Sequence, residues 1–332
     1  MSARSTQLYH TPSLAARLNS RLTSQIYRFT HSSHYRHNER FWPHTRIVRD
    51  GNGRIKQFSI GDRQIPLVNG TLAGGSEGGA CHLIAAGPSI KRIDYSALPI
   101  KTAFGVNGAI ALAGQFEIPF RYYCIFDTGF IRGRPELVAE VLQRDLVLFT
   151  TPLCLWHLLR TFPREQLACR FFLVEDLRFK AGYPARTIAQ ALREDGSQGL
   201  SVHDANPELG FSADIGKGLF DGGTVAYLAL QAAVWLGFES IYLHGIDITN
   251  ASQTPRFYET SGQTLGTTLE EYFPIRIKPS FELASRICAA RGVSVRNLSP
   301  DSALGNEIFP KIDWRTLCEP ATQTLVGAGE QD

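Results

Sequence analysis

From residue 81 onward the chain alternates short, near-continuous apolar runs with longer helical segments, and this alternation constrains the fold more than any other feature. Runs at 81–86, 101–106, 121–126, 146–149, 170–174, 240–244 and 293–298 read as strands, and helical stretches at 135–143, 184–193, 223–236 and 279–291 fill most of the gaps. A strand that is apolar along its whole length must be covered on both faces, which is the habit of parallel sheets in α/β proteins. The expectation is an α/β, Rossmann-like, mostly parallel sheet with helices on both faces, over residues 81–315. Ligands bind such sheets outside the carboxyl ends of the strands, so the chemistry is sought there.

The first 80 residues are different in kind. Leu14, Leu18, Leu22, Ile26 and Phe29 recur at helical spacing over 13–30, flanked by Arg17, Arg21 and Arg28, with Thr11 before Pro12 as the expected cap. A His- and Arg-rich connector runs to about residue 45. Turn signals at Asp50-Gly51-Asn52-Gly53 and Gly61-Asp62 divide 46–68 into a short β-meander, and the glycine-rich stretch 70–79 reads by composition as a flexible linker. Residues 316–332 form a tail. Residues 1–80 hold 11 Lys and Arg against 4 Asp and Glu, a net of +7, whereas the remainder is net −4. A basic front end of this kind fits an anionic partner surface, and an oligomer contact or packing on the body competes for the helix.

Composition removes several classes. With 43% hydrophobic and 20% charged residues the chain is not disordered. The most apolar stretch, 225–238, is too short to span a bilayer, and no signal-peptide pattern opens the sequence. The six cysteines form no CxxC pair and no zinc spacing, so they read as packed thiols of a cytoplasmic protein. The acidic body has no basic stripe for nucleic acid.

At the strand ends, Gly87-Pro88-Ser89 can hold an anion through backbone N–H groups, or be simply a tight strand-to-helix turn. Asn107-Gly108 ends the second strand, and the Asn amide can read a base or ribose as well as form a turn. Asp127 ends the third strand as a general base or an N-cap. Gly222-Gly223-Thr224 before the 223–236 helix reads as an anion pocket, since capping alone explains no paired glycines. His244 and Asp247 follow at one rim, where either can also be purely structural. No Asp-x-Asp metal anchor and no GxSxG elbow is present.

Taken in order, Gly87-Pro88-Ser89, Gly105-Val106-Asn107-Gly108, Ile118-Pro119-Phe120 and Phe126-Asp127 resemble the opening of the WaaZ-type lipopolysaccharide core glycosyltransferases. Gly210-Phe211, Asp214-Ile215, Gly218, Thr224-Val225-Ala226-Tyr227, Gln231, Gly245-Ile246-Asp247-Ile248-Thr249, Arg256-Phe257-Tyr258 and Asn297-Leu298-Ser299 continue the similarity over residues 81–314. More distantly, 86–99 is similar to the opening motif of bacterial sialyltransferases that use CMP-sialic acid. The first resemblance implies transfer of Kdo (3-deoxy-manno-octulosonate) from CMP-Kdo to the inner core. The second implies that Asn107 contacts the nucleotide, while the Thr224 turn and Tyr258 meet the CMP phosphate. The sialyltransferases place a histidine base before their last long helix. The matching stretch here, 261–278, contains no histidine.

The expectation is therefore a metal-independent, inverting glycosyltransferase with no cofactor, taking a CMP-sugar donor and a lipid-linked oligosaccharide acceptor. Asp127 and Asp247 lead as candidate bases, followed by Asp214 and His244. Arg256 and Tyr258 join the glycine turn on the departing phosphate. Arg121, Arg132, Arg134 or Lys217 would meet the donor carboxylate. Rivals are a transferase for sialic-type sugars, a pterin diphosphokinase-like enzyme, and a non-catalytic membrane-surface binding protein. The oligomeric state is left open.

Overall fold

The computed structural model describes residue 9 and residues 14–248, 253–260 and 264–318, with the backbone alone for 14–17. The Thr11 cap, Thr249, positions 261–263 and most of the 316–332 tail lie outside the described residues.

In chain order the elements are α1 (Leu14–Thr30), β1 (Thr45–Arg49), β2 (Ile55–Ile60), β3 (Arg63–Ile65), β4 (Ala80–Ile84), β5 (Ala103–Val106) and β6 (Phe120–Ile125). They continue as α2 (Thr128–Gly133), α3 (Pro135–Leu142), β7 (Val147–Thr150), α4 (Pro152–Thr161), β8 (Arg170–Leu173), α5 (Ile188–Asp195), β9 (Leu200–His203) and β10 (Asn206–Ser212). The last are α6 (Val225–Leu236), β11 (Ser240–His244), α7 (Leu269–Tyr272), α8 (Lys278–Ala290) and β12 (Ser294–Asn297). All seven strands expected after residue 81 pair in parallel in one sheet, in the order β12-β11-β4-β5-β6-β7-β8.

Side-chain alternation sends Cys81 and Leu83 of β4 into a core shared with α6 and α8, and Ile84 into a second core shared with α3 and α4. Both faces of the sheet are thus covered. Helix α6 is apolar nearly all round because it is buried nearly all round. Its one polar core residue, Gln231, is satisfied: its Oε1 accepts from the N–H groups of Ser212 and Phe220 at 2.9 and 3.1 Å, and its Nε2 donates to the Phe220 carbonyl at 2.9 Å. Gly237 ends the helix in the left-handed region, at φ 100°.

The β1-β2-β3 meander packs on the body through Ile55, Phe58 and Ile65, and Arg49 makes a two-pronged bond to Glu175 at 2.7 and 2.8 Å. Residues 70–79, expected as a flexible linker, are instead a docked strap. The N–H groups of Gly75 and Glu77 donate to the carbonyls of Trp235 and Leu236, and Glu77 accepts from the Tyr122 hydroxyl at 2.6 Å. A side chain at Gly74 would lie 2.5 Å from the Trp235 indole, so this glycine serves close packing and not chain freedom. The β9-β10 hairpin, α2 and α4 were not read from the sequence.

Candidate functional site

Strands β4 to β8 are laid down successively in one direction from β4, and β11 and β12 in the other. Loops leaving β4 and β11 therefore diverge and open a crevice at the carboxyl edge. A cleft of about 290 Å³ lies there. Gly87, Pro88, Asn107, Asp127 and Asp247 line its floor from the ends of β4, β5, β6 and β11, and Gly223 and Thr224 bring in the start of α6. Thr254, Arg256, Thr267 and Thr268 line it from the 254–268 segment.

The floor is tightly built. A Cβ at Gly87 would stand 2.1 Å from Asp247 Oδ2 and 2.5 Å from the Gly245 carbonyl oxygen, so this turn admits glycine only. Asp247 Oδ2 accepts the Ser89 N–H at 2.9 Å, and the Ser89 hydroxyl donates to Ser299 Oγ at 3.0 Å. Ser89 is thus buried mortar behind the cleft and does not line it. Burial raises the Asp247 carboxyl above its ordinary range, with the Ser89 hydrogen bonds pulling the other way. Ile248 follows at φ 65°, a strained conformation for a β-branched residue.

Asn107 adopts φ 47°, which Asn tolerates better than most residues, and its side-chain oxygen is buried with no hydrogen-bond partner. The Tyr258 ring rests on Gly108, where a Cβ would stand 1.9 Å from its Cε1. The Tyr258 hydroxyl is also buried without a partner, and burial pushes its pKa up to about 12. Unsatisfied groups of this kind each cost roughly 1–3 kcal/mol; Asn107 lines the cleft, whereas Tyr258 sits behind it, against Gly108.

At the opposite wall, Gly223 stands at φ 83° with its N–H donating to Asp221 Oδ1 at 2.8 Å. Gly222 belongs to packing, because a Cβ there would lie 2.3 Å from the Tyr227 ring. Thr224 caps α6 without a side-chain bond, and Val225 and Ala226 line the cleft, so the N-terminal N–H groups of a 12-residue helix open toward it. Arg256 Nη1 donates to Glu259 Oε1 at 2.9 Å and to the Leu265 carbonyl at 3.1 Å, which ties these three residues together and leaves the guanidinium at the cleft wall. Exposed Asp127 has its Oδ1 held by the Gly129 N–H at 2.6 Å, the cap of α2.

Ser89, Gly108, Gly222 and Tyr258 do not line the cleft, and of the candidate bases His244 and Asp214 are not brought to it. His244 is the last residue of β11 and points into the core, where its Nε2 lies 2.9 Å from His82 Nδ1 and its Nδ1 lies 3.1 Å from the Tyr95 hydroxyl. Burial, then neighbouring His82, drives its pKa well below the ordinary histidine value. Asp214 pairs with Arg54 at 3.3 Å and accepts the Gly216 N–H, away from the cleft. Among the suggested carboxylate partners, Arg121 pairs with Glu77 and Lys217 donates to the Gly196 and Gln198 carbonyls, and neither lines the cleft. Arg134 lies 3.6 Å from Glu259, and Arg132 is exposed on α2.

Arg276 was missed. It sits beside Gly223, pairs with Asp221 at 3.5 Å, and belongs to a π-helical stretch, Phe273–Ile277, that no sequence pattern announced. Thr254, Thr267 and Thr268 were missed for the same reason, being placed by an irregular loop. Among the described residues, no three His, Cys, Asp or Glu side chains are grouped to hold a metal ion, and no helix is long and apolar enough to cross a membrane.

No family model matches the chain. It is similar to a protein of Salmonella typhimurium named as a probable 3-deoxy-manno-octulosonic acid transferase, with 24% identity over 248 residues that cover 70% of this chain and 86% of that one. An Escherichia coli protein of the same name is 23% identical, over 71% of this chain and 83% of that one. Both agree with the resemblance read from the motifs. Among solved structures, the MAf glycosyltransferase of Magnetospirillum magneticum AMB-1 matches 76% of this chain with 14% identity and a TM-score of 0.42, and the chain spans 36% of its length. The sialyltransferase CstII of Campylobacter jejuni, in complex with the substrate analogue CMP-3FNeuAc, matches 69% of this chain and 85% of its own, with 13% identity and a TM-score of 0.30.

Proposed function

We propose that this chain, a relative of proteins named as Kdo transferases, is a glycosyltransferase that passes Kdo from CMP-Kdo to a hydroxyl of a lipid-linked core oligosaccharide. One observation carries the reading. The N-terminus of α6 and the unpartnered Asn107 oxygen line a single cleft at the point where strand order reverses. Asn107 supplies a polar group for the cytosine or ribose, and the α6 N–H groups suit the phosphate.

In this mechanism the acceptor hydroxyl attacks the anomeric carbon from the face opposite CMP, through an oxocarbenium-like transition state. The C–O bond to the phosphate breaks as the new glycosidic bond forms, inverting the centre. Asp127 takes the acceptor proton. It is the exposed carboxylate lining the cleft, whereas Asp247 is buried and held by the Ser89 N–H. The departing phosphate is held by the α6 N–H groups with Arg256, Arg276 and Tyr258. Backbone and cationic donors fixed in place can stabilise a monophosphate leaving group without a divalent ion.

The test is a transfer assay with CMP-Kdo and, separately, CMP-sialic acid, on deacylated core oligosaccharide in EDTA, read by product mass. Transfer of Kdo in EDTA is expected. Transfer of sialic acid alone would replace the donor, and activity restored only by a divalent ion would overturn metal independence.

A further inference from the structure

Helix α1 packs with its polar side on the adjoining 31–42 segment. Ser24 and Tyr27 are buried, the Tyr27 ring stacks on His31 at 3.8 Å, and Ser20 accepts from Arg40 at 3.1 Å. Arg28 makes a two-pronged bond to Glu39 at 2.6 and 2.9 Å. The apolar stripe is turned outward: Leu18, Leu22, Ile26 and Phe29 are 54, 57, 40 and 90% exposed. An amphipathic helix folding for stability alone would do the reverse, since about 25 cal/mol per Å² of apolar surface is forfeited.

Charge selects the occupant. Residues 14–50 contain seven arginines and only two acids, Glu39 and Asp50, so the segment that carries the stripe is cationic, with Arg21 exposed on α1 itself. A second copy of the same surface would bring like charge against like. An outward apolar stripe on a cationic segment, with large apolar side chains standing out of it, matches a bilayer interface bearing anionic headgroups. The orientation also fits. The segment after α1 is bonded to residues 182–185, through the His34 carbonyl to the Ala185 N–H and through Asn38 to Gly182 and Tyr183. That loop leaves the carboxyl end of β8, so α1 is tied to the same edge of the sheet that carries the cleft.

We infer that Leu18, Leu22, Ile26 and Phe29 insert into the interface of an anionic bilayer, holding the cleft beside a lipid-borne acceptor. The vesicle contact stands on its own geometry, and only the acceptor clause rests on the transferase reading. The experiment is flotation of the full chain with vesicles of phosphatidylglycerol and phosphatidylcholine in equal parts, against pure phosphatidylcholine, without any donor present. Wild type is expected to float with the anionic vesicles and to release as salt rises. The double variant Leu22→Ser/Phe29→Ser should bind about ten-fold more weakly or worse. Its exposed sites leave the fold intact, which thermal melting checks without a ligand. Arg21→Gln, with the stripe intact, should bind more weakly and lose part of the salt response. Absence of wild-type flotation, or equal flotation by the double variant, would overturn the inference. So would a concentration-dependent dimer that the double variant abolishes with no change in flotation.

Discussion

The Ser89 N–H donates to Asp247 Oδ2 at 2.9 Å, joining the loop after β4 to the loop after β11 across the point where strand order reverses. The bond makes Asp247 a positioning residue for the cleft floor. Asp247→Ala leaves a buried N–H without its acceptor, and should cost about 1–3 kcal/mol in chemical denaturation and loosen nucleotide binding. Asp247→Asn keeps an acceptor and should retain both. Burial raises the native carboxyl's pKa, so the native chain binds this proton at higher pH than the unfolded chain does. The penalty is present above the native pKa and fades as pH falls, so any stability advantage of Asp247→Asn over wild type should shrink on acidification.

In the proposed mechanism Asp127 is the group that takes the acceptor proton. Asn at this position can still accept the Gly129 N–H and cap α2, so melting and CMP affinity should hold for Asp127→Asn. Its transfer rate should fall by about a hundred-fold or more, the scale of a lost general base. A rate within about three-fold of wild type, on that same scale, would return the assignment to another group.

Tyr258 tests the proposed phosphate contact. Its hydroxyl is buried and unpartnered, so Tyr258→Phe should melt at or slightly above wild type in the absence of ligand. On the proposed reading CMP should nonetheless bind about ten-fold more weakly, because the phosphate contact proposed for this hydroxyl is removed. Gly108→Ala, by forcing the ring off its seat, should weaken CMP binding further and lower the melting temperature as well.

The buried His82–His244–Tyr95 chain predicts acid lability. His82 is pushed down to about 4 by burial, and His244 falls well below its ordinary value. Both stay neutral in the native chain while the unfolded chain takes up protons near pH 6.5, so stability is complete above that value and is lost as pH falls toward 4. His82 alone should account for about 2 kcal/mol between pH 8 and pH 5. Denaturation midpoints across that range should fall for wild type, and less steeply for His82→Gln.

The sheet was legible in the sequence because its strands are buried on both faces and leave unbroken apolar runs, as at Leu146 to Phe149. Helix α4 carried readable signals, Thr151 as cap and Pro152 in the first turn, but its Leu155–Trp156 stretch reads equally as strand. The β9-β10 hairpin was missed because β9 has only four residues and β10 is interrupted by Pro207 and Gly210, with only its second half buried. Strand ends told which residues approach the cleft but not which way each points. Leu243 faces the α6 core, so period-two alternation sends His244 to the other face, beside His82. Asn107 and Asp127 could be placed at the cleft because loops after strands open onto it, and Thr224 because paired glycines precede a long apolar helix. Arg276 could not be found, since its place depends on a local π-helical winding. The outward stripe of α1 is the clearest case of pattern without direction: spacing gave the apolar face, and only tertiary contacts gave its orientation.

The central claim is that the cleft between the β4 and β11 loops binds CMP through backbone and cationic groups. Thermal shift of the full chain with CMP, CDP, UDP, GDP or ATP, each in EDTA and in Mg²⁺, tests it directly. The account predicts stabilisation by CMP that EDTA leaves unchanged and that Tyr258→Phe reduces. Stabilisation by ATP with Mg²⁺ and none by CMP would contradict it.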